Sequence, residues 1–140
     1  MLTIILSLVS LFLSHILLFQ TDTLLFKGDD EIDKFLIYDY VGAPWLWENT
    51  PPVGNGGLSL RNLDKMIYIT ENYKNSRENP VPEDIFISFK CCENNFNIPD
   101  RNTASLFSSE GIYNSESCGI HGFFLKDNLN DRIINFFTPF

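Results

Sequence analysis

Val53-Gly54-Asn55-Gly56-Gly57-Leu58-Ser59-Leu60-Arg61 is the stretch around which the rest of the chain is organised. Its first five residues include three glycines and one asparagine, which tolerate positive φ and allow a backbone to bend tightly or to lie against a ligand. The residues Leu58-Ser59-Leu60 alternate apolar and polar side chains, which predicts a short strand. The stretch therefore predicts a tight turn that leads directly into a strand.

The composition indicates one modest domain with a genuine core. The chain has 140 residues, of which 44% are hydrophobic, and 13 of them are Phe. The net charge is −8, and the 10 basic residues form no cluster. A nucleic-acid partner is not expected, because such proteins carry a basic patch or stripe.

Three cysteines, Cys91, Cys92 and Cys118, form an odd set with one adjacent pair. This spacing predicts neither a disulfide framework nor a zinc site. We expect buried free thiols in a reducing compartment. With the lack of any Asn-x-Ser/Thr acceptor, this slightly favours a cytoplasmic location.

Residues 2–19 are apolar and carry no formal charge, and the run reaches the length at which a membrane span becomes a candidate. Hydropathy alone favours a membrane anchor or signal segment. Alternatively, residues 1–15 form an apolar helix, and His15-Ile16-Leu17-Leu18-Phe19 is a buried strand. Residues 16–140 form the domain in both cases, and membrane association through residues 2–19 stays open.

Strand and helix patterns alternate along the rest of the chain, which favours an α/β layer structure. Glu83 and Asp84 lie in the first turn of a predicted helix, where acids are common for structural reasons alone because the helix dipole favours them. The predicted elements are a helical turn at 31–35, a strand at 36–41, a helix from 63 to about 75 capped by Asn62, a helix at 83–92, a loop at 93–103, a short strand at 104–110 and a helix at 125–140. The apolar stripe of the helix that begins at 63 is expected at Leu63, Met66, Ile67, Ile69 or Thr70, and Tyr73, and that of the helix at 83–92 at Ile85, Phe86 and Phe89.

Several segments together resemble a family of glycosyltransferase-like domains related to the nucleotide-sugar transferases of the GT-A type. The resemblance extends over roughly residues 16 to 125. It is carried by Ile16-Leu17-Leu18-Phe19-Gln20-Thr21-Asp22-Thr23, by Tyr38-Asp39-Tyr40-Val41-Gly42-Ala43-Pro44-Trp45, by the stretch 53–61, by Pro82-Glu83-Asp84-Ile85-Phe86, and by Phe107-Ser108-Ser109-Glu110 followed by Gly119-Ile120-His121.

The resemblance implies a divalent-metal site. Gln20-Thr21-Asp22 stands where such enzymes carry an acidic Asp-x-Asp motif that holds Mn²⁺ or Mg²⁺ on the nucleotide diphosphate. Only the last acid, Asp22, is retained, but one carboxylate with diphosphate oxygens and water can still hold a hard cation. His121 resembles the late histidine that completes the metal site.

The resemblance also implies a transfer site. Asp84 is expected to be the general base that takes a proton from the acceptor hydroxyl in an inverting reaction, and Glu83 is expected to bind the acceptor or to orient Asp84. The implied partners are a nucleotide-diphosphate sugar and a glycan or protein acceptor. Residues implied in donor or acceptor binding are Trp45, Asn55, Gly56, Gly57, Ser59 and Arg61.

The implied fold is the C-terminal part of a GT-A-like mixed sheet flanked by helices. Only nineteen residues precede Gln20, so the first nucleotide-binding strands are expected to be missing. The strand that leads into Gln20 is expected to be central and covered on both faces. Two alternatives stay open: an inactive remnant that at most binds glycans through the loop of Trp45 and Trp47, and a small membrane-anchored acidic protein.

Overall fold

A computed structural model describes residues 13–48 and 50–122. Within these ranges the chain forms two small sheets and four helices, which confirms the predicted mixed α/β class at this level. No helix in the described ranges is long and apolar enough to cross a membrane. Residues 1–12 and the helix predicted at 125–140 lie outside the described residues.

The described elements follow one another in a mixed order of strands and helices. A short 3₁₀ helix, Asp33–Phe35, follows the first helix directly, as the predicted helical turn requires. The elements are β1 (His15–Phe19), β2 (Thr23–Leu25), α1 (Asp29–Ile32), β3 (Tyr40–Gly42), β4 (Leu58–Asn62), α2 (Leu63–Asn72), α3 (Glu83–Glu93), α4 (Arg101–Phe107), β5 (Ser108–Ser109) and β6 (Gly119–His121).

The first sheet has the order β1-β4-β3, and both pairs are antiparallel. Leu60 of β4 lies between Leu17 of β1 and Val41 of β3. The prediction that β1 is a central strand covered on both faces is wrong. In the described sheet β4 takes the central place, and β1 lies at the edge with Phe19 64% exposed.

The second sheet has the order β2-β6-β5 and includes one antiparallel and one parallel pair. Thr23 pairs with His121, and Ser108 pairs with Gly119. The Gly57 carbonyl ties the turn between β1 and β2 to the start of β4, since it accepts hydrogen bonds from the Gln20 amide at 2.8 Å and from Thr23 Oγ1 at 2.9 Å. The two sheets therefore meet at the residue that ends the glycine-rich turn.

Helix α2 begins as its sequence predicts. The Asn62 side chain accepts a hydrogen bond from the Lys65 amide at 3.2 Å, and Leu63, Met66 and Ile69 are buried. An asparagine at this position satisfies an amide that the first turn of a helix leaves without a partner. The cap and the apolar stripe are both confirmed, and α2 ends at Asn72, slightly earlier than predicted.

Helix α3 has nearly the predicted bounds but buries a different face. We expected Ile85, Phe86 and Phe89 to form the apolar stripe, whereas the buried residues are Ile87, Ser88 and Cys91. Ser88 can be buried because its hydroxyl donates to the Asp84 carbonyl one turn earlier. This internal bond removes the cost of burying a hydroxyl without a partner.

Two strand predictions are right for only a few of their residues, Tyr40 and Val41 in one and Ser108 and Ser109 in the other. Residues 36–39 form a turn, and only Tyr40–Gly42 is a strand, because the Asp39 amide and carboxylate both bond the backbone of Asn97. The segment 104–110 belongs mostly to helix α4. The Asp100 side chain caps that helix by accepting from the Thr103 amide at 2.7 Å, an interaction that also lowers the pKa of Asp100.

All three cysteines are free thiols. Cys91 and Cys118 are buried as predicted, but Cys92 is exposed because the buried face of α3 passes through Cys91. Burial raises the pKa of the Cys91 thiol from its ordinary value of 9.0 to about 12.

Candidate functional site

The glycine loop, residues 53–57, is held by its own hydrogen bonds. The Ala43 carbonyl accepts from the amides of Gly54 and Asn55 at 3.4 and 3.2 Å. The Gly57 amide donates to Asn55 Oδ1 at 2.8 Å, and the Gly56 amide donates to Asp84 Oδ2 at 3.3 Å. Each amide from residue 54 to 57 is therefore used within the chain.

The glycines of this loop make room for side chains. In the described residues the only glycine with positive φ is Gly122, so the expected left-handed turn is not used here. A Cβ added at Gly54 would lie 2.0 Å from Trp45 Nε1, and one added at Gly57 would lie 2.2 Å from the ring of His121. The sequence pattern thus identified the tight segment, and side-chain packing explains it.

A histidine cluster, formed by Gln20, Asp22, Glu110 and His121, lies against Gly57. His121 Nε2 is 2.9 Å from Gln20 Oε1 and 3.3 Å from Asp22 Oδ1. On the other side of the ring, His121 Nδ1 is buried, has no hydrogen-bond partner among the described residues and lies 3.6 Å from Glu110 Oε1. All four residues belong to segments that carry the resemblance, and the pairing of β2, β6 and β5 brings these segments together.

The histidine cluster offers a mixed set of metal donors. The described residues contain no group of three or more His, Cys, Asp and Glu side chains arranged to hold a metal ion. The Gln20 amide oxygen and an Asp22 carboxylate oxygen, however, both lie within 3.3 Å of the His121 imidazole nitrogen Nε2. This set fits Mn²⁺ better than Mg²⁺, because imidazole suits transition ions whereas Mg²⁺ prefers oxygen donors and water.

A buried arginine lies on the opposite side of the glycine loop. The Arg61 side chain is only 5% exposed, and its guanidinium donates two bonds to the Glu83 carboxylate, with Nε bonded to Ser59 Oγ at 2.9 Å. Its Cζ also lies 5.2 Å from the centre of the Tyr40 ring. Burial alone would lower the pKa of Arg61, but Tyr40 and Glu83 outweigh this effect and raise the pKa.

Tyr40 is hydrogen-bonded to the glycine loop. Its side chain is fully buried, and its hydroxyl donates to the Gly54 carbonyl at 2.8 Å. Burial raises the pKa of this phenol, so the hydroxyl stays a donor at neutral pH. Tyr40 therefore fixes the glycine loop and supports Arg61 at the same time.

Asp84 joins helix α3 to the glycine loop. One carboxylate oxygen accepts from the Ile85 amide at 2.8 Å, and the other accepts from the Gly56 amide at 3.3 Å. Both of these bonds hold the carboxylate at a fixed position beside Gly56. Asp84 is partly buried, whereas its neighbour Glu83 is exposed apart from the ion pair with Arg61.

A depression with a volume of about 160 Å³, the tryptophan depression, lies beside the histidine cluster. Its lining residues are Pro44, Trp45, Leu46, Trp47, Glu110 and Gly111. The two indole rings stack on each other with centres 5.6 Å apart. A larger depression of about 480 Å³ lies between the end of α2 and α3, but no carboxylate and no residue of the glycine loop lines it.

Residues 10–121 match the profile of a family described as a protein of unknown function, DUF5672. The chain belongs to this family. No curated protein and no solved structure matches the chain. All the predicted site residues lie inside the DUF5672 region, from Asp22 to His121.

Within the DUF5672 region, the structure brings most of the predicted site residues to one place. Asp22 and His121 meet on one side of the glycine loop, and Glu83, Asp84 and Arg61 meet on the other. Trp45 packs against Gly54 and faces the tryptophan depression. Glu83 has Arg61 as its described partner, and the catalytic, sugar-binding and metal-binding roles of all these residues stay predictions.

Sequence reasoning did not place Gln20 or Glu110 among the site residues of this DUF5672 chain. The resemblance aligns Gln20 with the first acid of an Asp-x-Asp pattern, and the Gln20 amide oxygen lies 2.9 Å from His121 Nε2. Its position in that motif was the available signal. Glu110 ends the segment Phe107-Ser108-Ser109-Glu110 of the resemblance, which was the available signal, but it comes to His121 only through the pairing of β5 with β6.

Proposed function

We propose that this chain is a glycosyltransferase-like domain of the GT-A type that uses a nucleotide-diphosphate sugar and Mn²⁺. One observation carries the proposal: residues from motifs between positions 20 and 121 meet around Gly56 and Gly57. Asp22 and His121 lie 3.3 Å apart, and Asp84 bonds the Gly56 amide. These are the positions that the resemblance assigns to metal binding and to the general base.

The metal would be held by Gln20, Asp22 and His121, and when bound it would neutralise charge on the diphosphate leaving group. Oxygen atoms of the diphosphate and water would complete such a site, since the described part of the chain supplies three donors there. The room at Gly57 allows the His121 ring to lie flat against the backbone, with Nε2 facing the other two donors. The glycine loop thus positions the imidazole.

The transfer step would be a single displacement with inversion. The acceptor oxygen attacks the anomeric carbon, the bond from that carbon to the diphosphate oxygen breaks, and the hydroxyl proton passes to the Asp84 carboxylate. A positioned base of this kind contributes about 10²–10⁴-fold to a rate. The bond between Asp84 and the Gly56 amide holds the carboxylate at the edge of the glycine loop.

Arg61 and Glu83 are proposed to support this site from behind. The guanidinium is buried and bonded to Ser59 and Glu83, and Ser59 Oγ also donates to the Gly56 carbonyl at 3.3 Å. This chain of contacts fixes the loop beside Asp84. In this proposal Ser59 and Arg61 act through the glycine loop.

Isothermal titration with a panel of nucleotide-diphosphate sugars, with and without Mn²⁺, tests the proposal. We expect donor binding that requires Mn²⁺ and that Asp22→Ala weakens at least tenfold. Asp84→Asn should keep donor binding and abolish transfer to an acceptor. Metal-independent binding, no binding of any nucleotide sugar, or unchanged turnover in Asp84→Asn would each contradict part of the assignment.

A second candidate function is glycan binding without transfer. It is favoured by the carboxylates themselves, because both oxygens of Asp84 accept backbone hydrogen bonds and Glu83 is paired with Arg61. In this case glycans would bind at the loop of Trp45 and Trp47, and titration with nucleotide sugars would show no metal-dependent heat.

A further inference from the structure

We propose that the tryptophan depression is a binding site for one neutral pyranose ring. The binding itself stands on the depression alone, and only the identification of this ring as part of the acceptor glycan rests on the proposed function. A volume of about 160 Å³ suits a single ring and is too small for a nucleotide sugar.

The aromatic wall of the depression is accessible. Trp47 is 58% exposed and Leu46 is 63% exposed, although both are large apolar side chains. Trp47 stacks on Trp45 at an interplanar angle of 22°, so the two indole rings are nearly parallel and support each other. Exposed aromatic surface of this kind marks interaction sites, and the apolar C–H face of a pyranose packs well on an indole.

The wall is also held in place before any ligand binds. The Arg101 guanidinium donates to the carbonyl oxygens of Trp45, Trp47 and Thr50. Arg101 itself starts helix α4, so the loop is fixed to a regular element. A binding surface that is ordered in advance loses less conformational entropy when its ligand binds.

Glu110 gives the depression its chemical preference. An ionised carboxylate accepts hydrogen bonds and donates none, so it suits the vicinal hydroxyls of a sugar. A uronic acid or other acidic sugar would be repelled, because its charge has the same sign as that of Glu110.

The position of Glu110 connects the depression to the proposed transfer site. Its carboxylate lines the depression, and its Oε1 lies 3.6 Å from His121 Nδ1. A ring bound against the indoles would therefore lie next to the histidine cluster. This neighbourhood is where an acceptor has to lie if the cluster holds the donor diphosphate.

Intrinsic fluorescence tests the site directly, because the two tryptophans of the chain are both in the wall. The protein is titrated with the methyl pyranosides of glucose, galactose and N-acetylglucosamine. We expect at least one of them to change the tryptophan fluorescence saturably, with a Kd of about 1–10 mM. Trp47→Ala should abolish saturable binding, as followed by saturation-transfer NMR on the sugar. Phe89→Ala is the matched control, since Phe89 is 43% exposed on α3 outside this depression and its removal should leave binding unchanged.

Charge selectivity provides the second test. The wild-type chain should bind the preferred neutral glycoside at least tenfold more tightly than methyl glucuronide, and Glu110→Gln should reduce this ratio to below threefold. The proposal is overturned if no neutral pyranoside binds saturably, if glucuronide binds as tightly as the neutral sugars, or if N-acetyltryptophanamide or a proline peptide binds more tightly than any pyranoside. Saturable sugar binding without metal-dependent donor binding would support the site and count against the transferase proposal alone.

Discussion

Gly57→Ala is the substitution that most directly tests how the candidate site is built. A Cβ at this position would lie 2.2 Å from Cδ2 and Nε2 of His121. Carbon atoms pack at about 3.5–4.0 Å, so the imidazole would have to move by more than about 1 Å. The move would separate Nε2 from Gln20 and Asp22, because these contacts are on the ring atoms that meet the new methyl group.

The expected cost has two parts. Forcing a methyl group into a filled space costs about 1–3 kcal/mol, and losing the hydrogen bond between His121 and Gln20 costs about 0.5–1.5 kcal/mol. We therefore expect Gly57→Ala to reduce the free energy of unfolding by about 2–4 kcal/mol. The backbone adds no strain of its own, since Gly57 does not have a positive φ.

Urea unfolding of a double-mutant cycle measures this steric conflict. His121→Ala removes the ring, so Gly57→Ala should cost less than about 1 kcal/mol in that background. Gly28→Ala is the matched control, because a Cβ there meets no atom within 4 Å, and its cost should stay below about 1 kcal/mol. Equal costs of Gly57→Ala with and without His121 would refute the packing described for the glycine loop.

Three further predictions concern stability. The pKa of the Cys91 thiol is about 9.0 in the unfolded chain and about 12 in the folded one, so the free energy of unfolding should fall as the pH rises between these values. Cys91→Ala should remove this contribution, which is at most about 1.4 kcal/mol per pH unit, as measured by unfolding at pH 8–10.5. Glu83→Gln should cost about 1 kcal/mol, and more at low salt, because it removes the carboxylate that is ion-paired with the buried Arg61 guanidinium; equal urea midpoints of the variant and the parent at low salt would contradict this. Asn62→Ala should cost about 1 kcal/mol through loss of the cap on α2, with a matching loss of ellipticity on heating, whereas an unchanged melting curve would exclude a role for the cap.

Local sequence signals predicted the elements that local interactions define. The start and the buried face of α2 are determined by residues that lie within eight positions of one another, namely Asn62, Leu63, Met66 and Ile69. The strand Leu58–Asn62 was predictable for the same reason from its alternating side chains, whereas residues 53–57 form an irregular loop instead of the predicted turn. In each case the residues that determine the structure are neighbours in the chain.

Other features depend on contacts that one segment cannot reveal. The buried face of α3 includes Ser88, and because Ser88 is polar, the pattern of apolar residues did not indicate this face. Asp100, which caps α4, lies in a segment whose composition predicts a loop. β1 is partly exposed because it lies at the edge of the described sheet, next to β4. Its apolar composition alone cannot distinguish an edge position from a central one.

The candidate site shows the same limit. The resemblance indicated Asp22, His121 and Asp84 as site residues. In the fold, His121 lies against Gly57 next to Asp22, and Asp84 is bonded to the Gly56 amide. Gln20 and Glu110 become visible as partners of His121 only when β2, β5 and β6 have paired. Their chemistry was in the sequence, but their relation to one another was not.

The pairing of β2 with β6 has a consequence for how the chain folds. Thr23 leaves a ribosome roughly a hundred residues before its partner His121, so β2 cannot form this ladder until synthesis of the described domain is almost complete. Contacts between such distant residues form late and slowly, because a long loop has to close first. The histidine cluster therefore forms only after His121 has been synthesised. A shorter nascent chain contains Asp22 but not the His121 imidazole that lies beside it in the folded domain.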